Sequence, residues 1–403
     1  MNLFSSFKKK PSLAVVFDIR EFSLTTAIIR TIKNQKSELL FCQNFEVIES
    51  ELATYKQYSA SLIKTLDKAI IETKKTIIKM DLKEDLSKYF FFIGSPWVVS
   101  KSKSVKIVKD KSFLIDDALL KRILLNKEDL IQKEIQIENS QGQWEIFEEK
   151  IVEAKLNGYK VTDFHNRKTK EFESHLFTSF IATEICDKIK SYLGAKFKKE
   201  GKECSHSTTL SSFTFTRDLY SDKNNYVYVE IGKLITDIYV VLDDVIHGIA
   251  SFPFGETAII ESVSRNMKIT KEMVNSMLNI KCHGKCDEET DKKIDSFIKM
   301  GLSEWSDRFN ASFAKICDEK DAPTDIIMTT NTDISKLFIN NIKSHNETSL
   351  KIYNKDTNLT IISEGILNNF VIGGKIFRNQ PFIKMDIILL DKLTNQKNIC
   401  LKK

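Results

Sequence analysis

Glycine is scarce in this chain, 13 of 403 residues, about half the usual ~7%. Nucleotide loops rely on glycine where backbone must come up against phosphate, so the shortage argues against Gly-rich cradles. There is no Walker loop, Rossmann glycine set, kinase signature or Gly-x-Ser-x-Gly elbow. That removes the commonest designs for phosphoryl transfer and acyl hydrolysis. No apolar run reaches the roughly 18 to 20 residues of a membrane span. Met1 to Pro11 has no apolar stretch of the kind a secretion signal needs, and its charges sit on the wrong side. The seven cysteines are scattered and odd in number, a pattern of reduced thiols rather than a disulfide framework. These absences predict a cytoplasmic protein.

What is present fits a globular chain of two or more domains, 42% apolar and 29% charged. The net charge of +6 is spread as lysines among many acids. That favours solubility over a nucleic-acid groove, and no nucleic-acid partner is expected. The segment Cys282-His283-Gly284-Lys285-Cys286 has a spacing that zinc tolerates. No second tight pair accompanies it, with only Cys204 and His206 elsewhere, so it reads as a turn between helices and no metal site is predicted. His247 sits in a hairpin facing solvent, and His165, His175 and His345 are isolated. No catalytic residue is assigned. Trp97 and Trp305 read as core residues.

Along the chain, "MNLFSSFKKKP" is a basic tail (1–12) that is either disordered or in weak contact with an anionic membrane surface. Three strand patterns follow, then a helix over 55–79 with Leu62, Leu66, Ala69, Ile70, Thr73 and Ile77 on one face. Residues 98–183 have a different character, with a strand, the helix "IDDALLKRIL", and two long strands around the Asn157-Gly158 turn. A helix over 184–196 leads to a polar stretch near 198–207. Strands return at Tyr226, helices are expected over 257–267, 271–279 and 287–317, and a short buried strand lies in "TDIIMTT". A further helix starts at Ile334, and the remainder to Leu393 reads as mainly strand-like.

A repeat lies within this order. Asp18 to Ile29 can be laid over Glu230 to Val241, each an apolar strand, a terminal acid, a four-residue turn and a second apolar strand. Both continue into a third strand and a helix, which implies a duplicated α/β domain with a cleft between the acidic strand ends.

A duplicated strand–hairpin unit with an acid at each first turn resembles the actin-like ATPase superfamily, of ribonuclease-H-like fold. Three stretches resemble the branch that contains PilM and FtsA: "LFSSFKKKPSLAVVFDIR", "SFLIDDALLKRIL" with "IVEAKLNGYKV", and "VIHGIASFPFGETAIIESV". The second is similar to that branch's inserted strand–helix–strand–strand (SHS2) subdomain. The resemblance implies a first actin-like domain over 13–97 and 184–225, the insertion over 98–183, and a second domain over 226–403. It implies nucleotide contacts at Asp18, Arg20, Glu230, Gly232, Thr236, Thr329, Thr330 and Asn331, with ATP and magnesium as the family's cofactors.

The chain departs from the family at four places. Asp18-Ile19-Arg20 stands for Asp-x-Gly, and Glu230-Ile231-Gly232 begins with a longer acid. Thr329, Thr330 and Asn331 stand for a Gly-Gly pair, and Val274 to Leu278 for an Ala-Glu-x-x-Lys pattern near ribose. A Cβ in a phosphate loop blocks close approach. Each lost charged partner removes roughly 1.5–3 kcal/mol of hydrogen bonding. The expectation is a degenerate site, ATP not hydrolysed and either unbound or held weakly with Arg20 and Lys233 supplying charge where glycine amides stood, and a scaffold of the PilM type in type IV pilus assembly. Its expected partner is a cytoplasmic segment of an inner-membrane assembly protein, met at the membrane face through the strand "SVKIVKD" and the helix "IDDALLKRIL", with self-association open. The alternatives are a divergent FtsA-like division protein and a working actin-like ATPase.

Overall fold

The computed structural model describes residues 11–47, 55–84, 86–123, 143–196, 202–282, 288–329, 334–344 and 350–395. The first strand shows how the sequence makes a layered molecule. In β1 (Ser12–Ile19) side chains alternate between faces. Leu13, Val15, Phe17 and Ile19 join an outer cluster, while Ala14 and Val16 join an inner one. β2 (Ser23–Thr31) and β3 (Glu38–Glu46) follow as antiparallel neighbours, and β4 (Leu86–Ile93) runs parallel to β1. The helix Tyr55–Lys79 covers the outer face with Leu62, Leu66, Ala69 and Ile70, spaced on one side as the sequence predicts.

An inserted sheet then interrupts the unit. It comprises β5 (Val98–Leu114), β6 (Trp144–Leu156), β7 (Tyr159–Val161) and β8 (Lys168–Ala182), in the order β5-β8-β6-β7. Helix 117–123 packs on it through Leu119, Leu120 and Ile123. β7 is three residues long rather than a long partner of β6. The insertion also touches the second half of the molecule: Ser102 Oγ donates to the Ile246 carbonyl at 2.6 Å, and Lys160 Nζ to that of Asp243 at 3.1 Å. After the helix Thr183–Lys196, β9 (Lys202–Ser207) returns to the first sheet, parallel to β4.

The second half repeats the design. β10 (Tyr226–Ile231), β11 (Thr236–Leu242) and β12 (Val245–Phe252) are antiparallel. β13 (Asp325–Thr329) lies parallel beside β10, the hairpin of β14 (Lys351–Ile352) and β15 (Lys355–Asp356) is separate, and β16 (Asn358–Ile362) completes the sheet. The order β12-β11-β10-β13-β16 matches β3-β2-β1-β4-β9 strand for strand. Its outer face is covered by helices Glu256–Met267, Lys271–Cys282 and Glu288–Phe313.

Between the sheets lie two helices, Thr208–Leu219 and Pro381–Asn395, packed on each other. Their apolar residues share one core with Ala14, Val16, Tyr226 and Tyr228. Two sequence expectations fail here, over 202–207 and over the last helix, and the helix Thr208–Leu219 is not read from the sequence at all. Residues 202–207 are a strand, not part of a polar linker. Their partner is backbone, and polar side chains do not hinder an edge strand. The helix Thr208–Leu219 is rich in Thr, Ser and Phe, weak helix formers. It forms because Ser207 caps it, accepting from Leu210 N at 3.3 Å, and because Leu210, Phe213 and Phe215 are buried between the sheets. The region to Leu393 is not mainly strand-like, since Pro381–Asn395 is a helix. Apolar on most sides and with Lys384 and Asp386 fully buried, it shows no amphipathic stripe to read.

Trp305 is the largest side chain in the outer core of the second half. It is fully buried against Phe309 and Phe338, and its Nε1 donates to Thr236 Oγ1 at 3.1 Å. Trp305→Ala is expected to cost about 3–5 kcal/mol in urea unfolding. A loss below about 1 kcal/mol would contradict this packing.

Candidate functional site

Each sheet presents one tight turn to the cleft. Arg20 N donates to Ser23 O at 2.9 Å in the first turn, and Gly232 N to Ile235 O at 2.8 Å in the second. The duplication thus extends to the backbone hydrogen bond that closes each turn. The acids precede these turns at matching registers, Asp18 opposite Thr25 and Glu230 opposite Asp237.

Arg20 joins the two. Its Nε donates to both oxygens of Asp18 at 3.0 Å, its Nη1 reaches Glu230 Oε1, and its guanidinium stacks 3.9 Å above the centre of the Phe382 ring. A planar fork with a flat apolar backing suits arginine and not lysine. From the inner helix comes Asp386, fully buried, with the Ser211 hydroxyl beside its carboxyl. Burial opposes the Arg20 charge, but Asp18, Glu230 and Asp386 outweigh it and hold its pKa above the ordinary arginine value. Burial raises Asp18 against the pull of Arg20, and raises Glu230 likewise. Asp386 is pushed well above the usual carboxylate range, by burial and then by the nearby Asp18 charge.

Glu21 crosses in the other direction. Its Oε2 accepts from Leu234 N at 3.0 Å, inside the turn of the opposite half. Gly232 makes room for it, because a Cβ there would lie 2.8 Å from the same oxygen. Burial pushes Glu21 up to about 8, although the backbone N–H groups of Leu234, Ile235 and Lys233 pull the other way. A third link runs from Ser95 Oγ, after β4, to Asp237 Oδ1 at 2.8 Å. The remaining space is a cavity of about 360 Å³ between the turns, walled also by Asn44, Glu46 and residues 379–383.

The structure brings Asp18, Arg20, Glu230 and Gly232 together. It does not bring Thr236 to the cavity. That hydroxyl is buried, donates to Phe254 O at 2.6 Å and accepts from Trp305. Thr329 is buried at the end of β13, in register with Glu230. Thr330 and Asn331 lie outside the described residues, as do residues 1–10 of the tail and 283–287 of the cysteine segment. Val274 and Leu278, at the expected ribose position, are core residues. Among the described residues no group of three or more His, Cys, Asp or Glu could hold a metal ion, and no helix is long and apolar enough to cross a membrane.

Sequence reasoning missed Glu21, Asp237, Asp386 and Phe382. Glu21 and Asp237 were within reach, since each sits in or beside a turn already singled out. Nothing local marks Asp386 or Phe382, because only the tertiary placement of the last helix brings them here.

No protein-family model matches the sequence, and neither does any curated protein. Solved structures do match. One is a chain of a PilM-PilN type IV pilus biogenesis complex, with TM-score 0.59, 10% identity, and coverage of 95% of this chain and 99% of that one. A Bacteroides thetaiotaomicron protein with an actin-like ATPase fold and unknown function has TM-score 0.44 at 10% identity, over 94% of this chain and 96% of that one. The ethanolamine utilization protein EutJ from Carboxydothermus hydrogenoformans has TM-score 0.38 at 11% identity, over 87% and 84%. The molecule has the actin-like ATPase fold, two related α/β halves about a cleft.

Removing Arg20 leaves three acids facing one another. Arg20→Ala is expected to lose about 3–5 kcal/mol in chemical denaturation, and Arg20→Lys less. An unchanged midpoint in the alanine variant would refute the pairing. A carboxyl whose folded pKa is raised, as at Glu21, gives stability that is complete below its unfolded value of 4.5 and lost as pH rises through about 8. Melting temperatures measured from pH 5 to about 9 should therefore fall more steeply in the wild type than in Glu21→Gln. Parallel curves would show that Glu21 is not perturbed.

Proposed function

We propose that this chain is a non-catalytic actin-like adaptor whose cleft is filled by its own side chains. One observation carries the reading. Arg20 lies between the two acidic strand ends, and the Glu21 carboxylate takes a backbone N–H of the Gly232–Ile235 turn. In an ATP-binding protein of this fold, such acids serve a metal ion and such amides a phosphate. Here a guanidinium stands for the cation, and the Glu21 carboxyl occupies the amides that a phosphate would use. Magnesium-ATP would have to break a part-buried ion pair and push aside Glu21, while adding negative charge beside Asp237 and Asp386. A fold kept without its chemistry suits a scaffold.

The likeness to a chain of a PilM-PilN complex supports a place in type IV pilus assembly, and the partner that goes with this reading is the one the sequence resemblance implies, a cytoplasmic segment of an inner-membrane protein. The insertion supports the same branch. Apart from the short β7, its order of strand, helix, strand, strand is that of an SHS2-like subdomain. On this reading the protein works at the cytoplasmic face of the inner membrane.

Calorimetry with magnesium-ATP tests the claim about the cleft. No saturable heat is expected up to about 1 mM, the upper end of ordinary substrate constants. Micromolar binding would overturn it.

A further inference from the structure

The helix Tyr55–Lys79 buries one face against the first sheet and turns the other outward. With about 3.6 residues per turn, Lys64, Lys68, Ile71, Lys75, Ile78 and Lys79 fall within about a third of its circumference. All six are exposed, and no acid shares the arc. The two acids of this helix lie on its flanks and are engaged: Asp67 accepts from the Tyr192 hydroxyl, and Glu72 pairs with Lys75 at 2.9 Å. In a chain with 61 basic and 55 acidic residues, a row of lysines without acids departs from the average. The isoleucines are a second observation. Ile78 is 79% exposed and Ile71 38%, with Met80 just past the helix end at 37%. Single exposed apolar residues are ordinary, but these recur at i and i+7 in line with the lysines. A third observation is where the chain begins. Leu13 pairs with Leu86, at the start of the strand that follows this helix. The segment before it, "MNLFSSFKKKP", therefore enters at the end of the sheet where the helix ends, and it carries the same two ingredients, apolar residues and lysines.

We propose that this stripe docks the protein on an anionic lipid surface, with Ile71 and Ile78 entering the headgroup layer and the four lysines over lipid phosphates. A helix held flat on a sheet presents the row from Lys64 to Lys79 along about 22 Å. Lysine stems lie beside apolar neighbours while their ammonium groups reach phosphate. Each lysine close to an anionic leaflet strengthens binding about fivefold. Nucleic acid fits less well. The stripe has no arginine or aromatic side chain for base or stacking contacts, and its isoleucines would gain nothing from a phosphate backbone. This contact extends the membrane-face reading proposed above and does not depend on what the cleft holds.

Co-sedimentation of the full chain with phosphatidylcholine vesicles, with and without phosphatidylglycerol, tests it. Pelleting is expected only with the anionic lipid and should weaken as salt rises. Lys64→Gln combined with Lys68→Gln should weaken it about 25-fold, and Ile78→Gln about tenfold. These side chains are exposed, so the urea midpoint should not move. Lys299→Gln combined with Lys320→Gln, exposed on the second half, should bind as the wild type does. Absence of pelleting with anionic vesicles overturns the proposal, as does an equal loss in this control. So does pelleting that is abolished by changing Lys8, Lys9 and Lys10 to Gln yet untouched in the helix variants, which would assign the contact to the tail alone. An Ile78→Gln variant that binds like the wild type also overturns it, and equal affinity for a DNA duplex would then mark the stripe as a general polyanion site. None of these outcomes touches the cleft, which magnesium-ATP calorimetry tests separately.

Discussion

The guanidinium of Arg20, held between Asp18 and Glu230, is the interaction on which the two halves of this molecule depend. Each half ends a central strand in an acid, Asp18 buried and Glu230 partly buried. Two such acids facing across a cleft repel, and Asp386 adds a third. One cation with several donors in a fixed plane offsets this, provided its position is fixed. The Phe382 ring fixes it from one side. Breaking such a pair costs far more than the pair contributes over an apolar replacement, because the cost is that of stranded charge. The tie therefore sets a single closed arrangement more than it adds to stability.

Other contacts reinforce the same arrangement. Glu21 reaches into the opposite turn, Ser95 reaches Asp237, and the insertion touches the rim of the second sheet through Ser102. The links lie on different elements, so no one turn acts as a free hinge. An enzyme of this shape needs its cleft to open and close. The scaffold proposed above would need surfaces held in constant relation, and this set of bridges would supply that.

Much of the fold was legible in the sequence because its signals are local. Strand alternation in β1 and β10, the face of helix Tyr55–Lys79 and the matching acids at Asp18 and Glu230 can all be read from spacing. What was not legible depends on layers. A helix buried between two sheets needs no polar face, so Pro381–Asn395 looks like strand. An edge strand such as β9 needs only backbone, so its polar sequence looks like a loop. The candidate site divides the same way. Asp18, Arg20, Glu230 and Gly232 belong to two local turns. Thr236 belongs to a local turn as well, but Phe254, 18 residues on, and Trp305, 69 residues on, take its hydroxyl inward. The reason for Gly232 was not visible either, since it leaves space for Glu21 from the other half.

The helix Pro381–Asn395 also bears on how the chain reaches this structure. β1 is synthesised early and this helix late, yet the inner face of the first sheet rests on it. Until the ribosome has released the later part, Ala14 and Val16 lack that cover and Asp18 and Arg20 lack their neighbours Asp386 and Phe382. The first sheet must therefore wait half-covered during translation. Contacts so distant in sequence are slow to form and leave apolar surface open to association meanwhile. Closing the last layer over the first sheet is therefore a late, long-range step in folding.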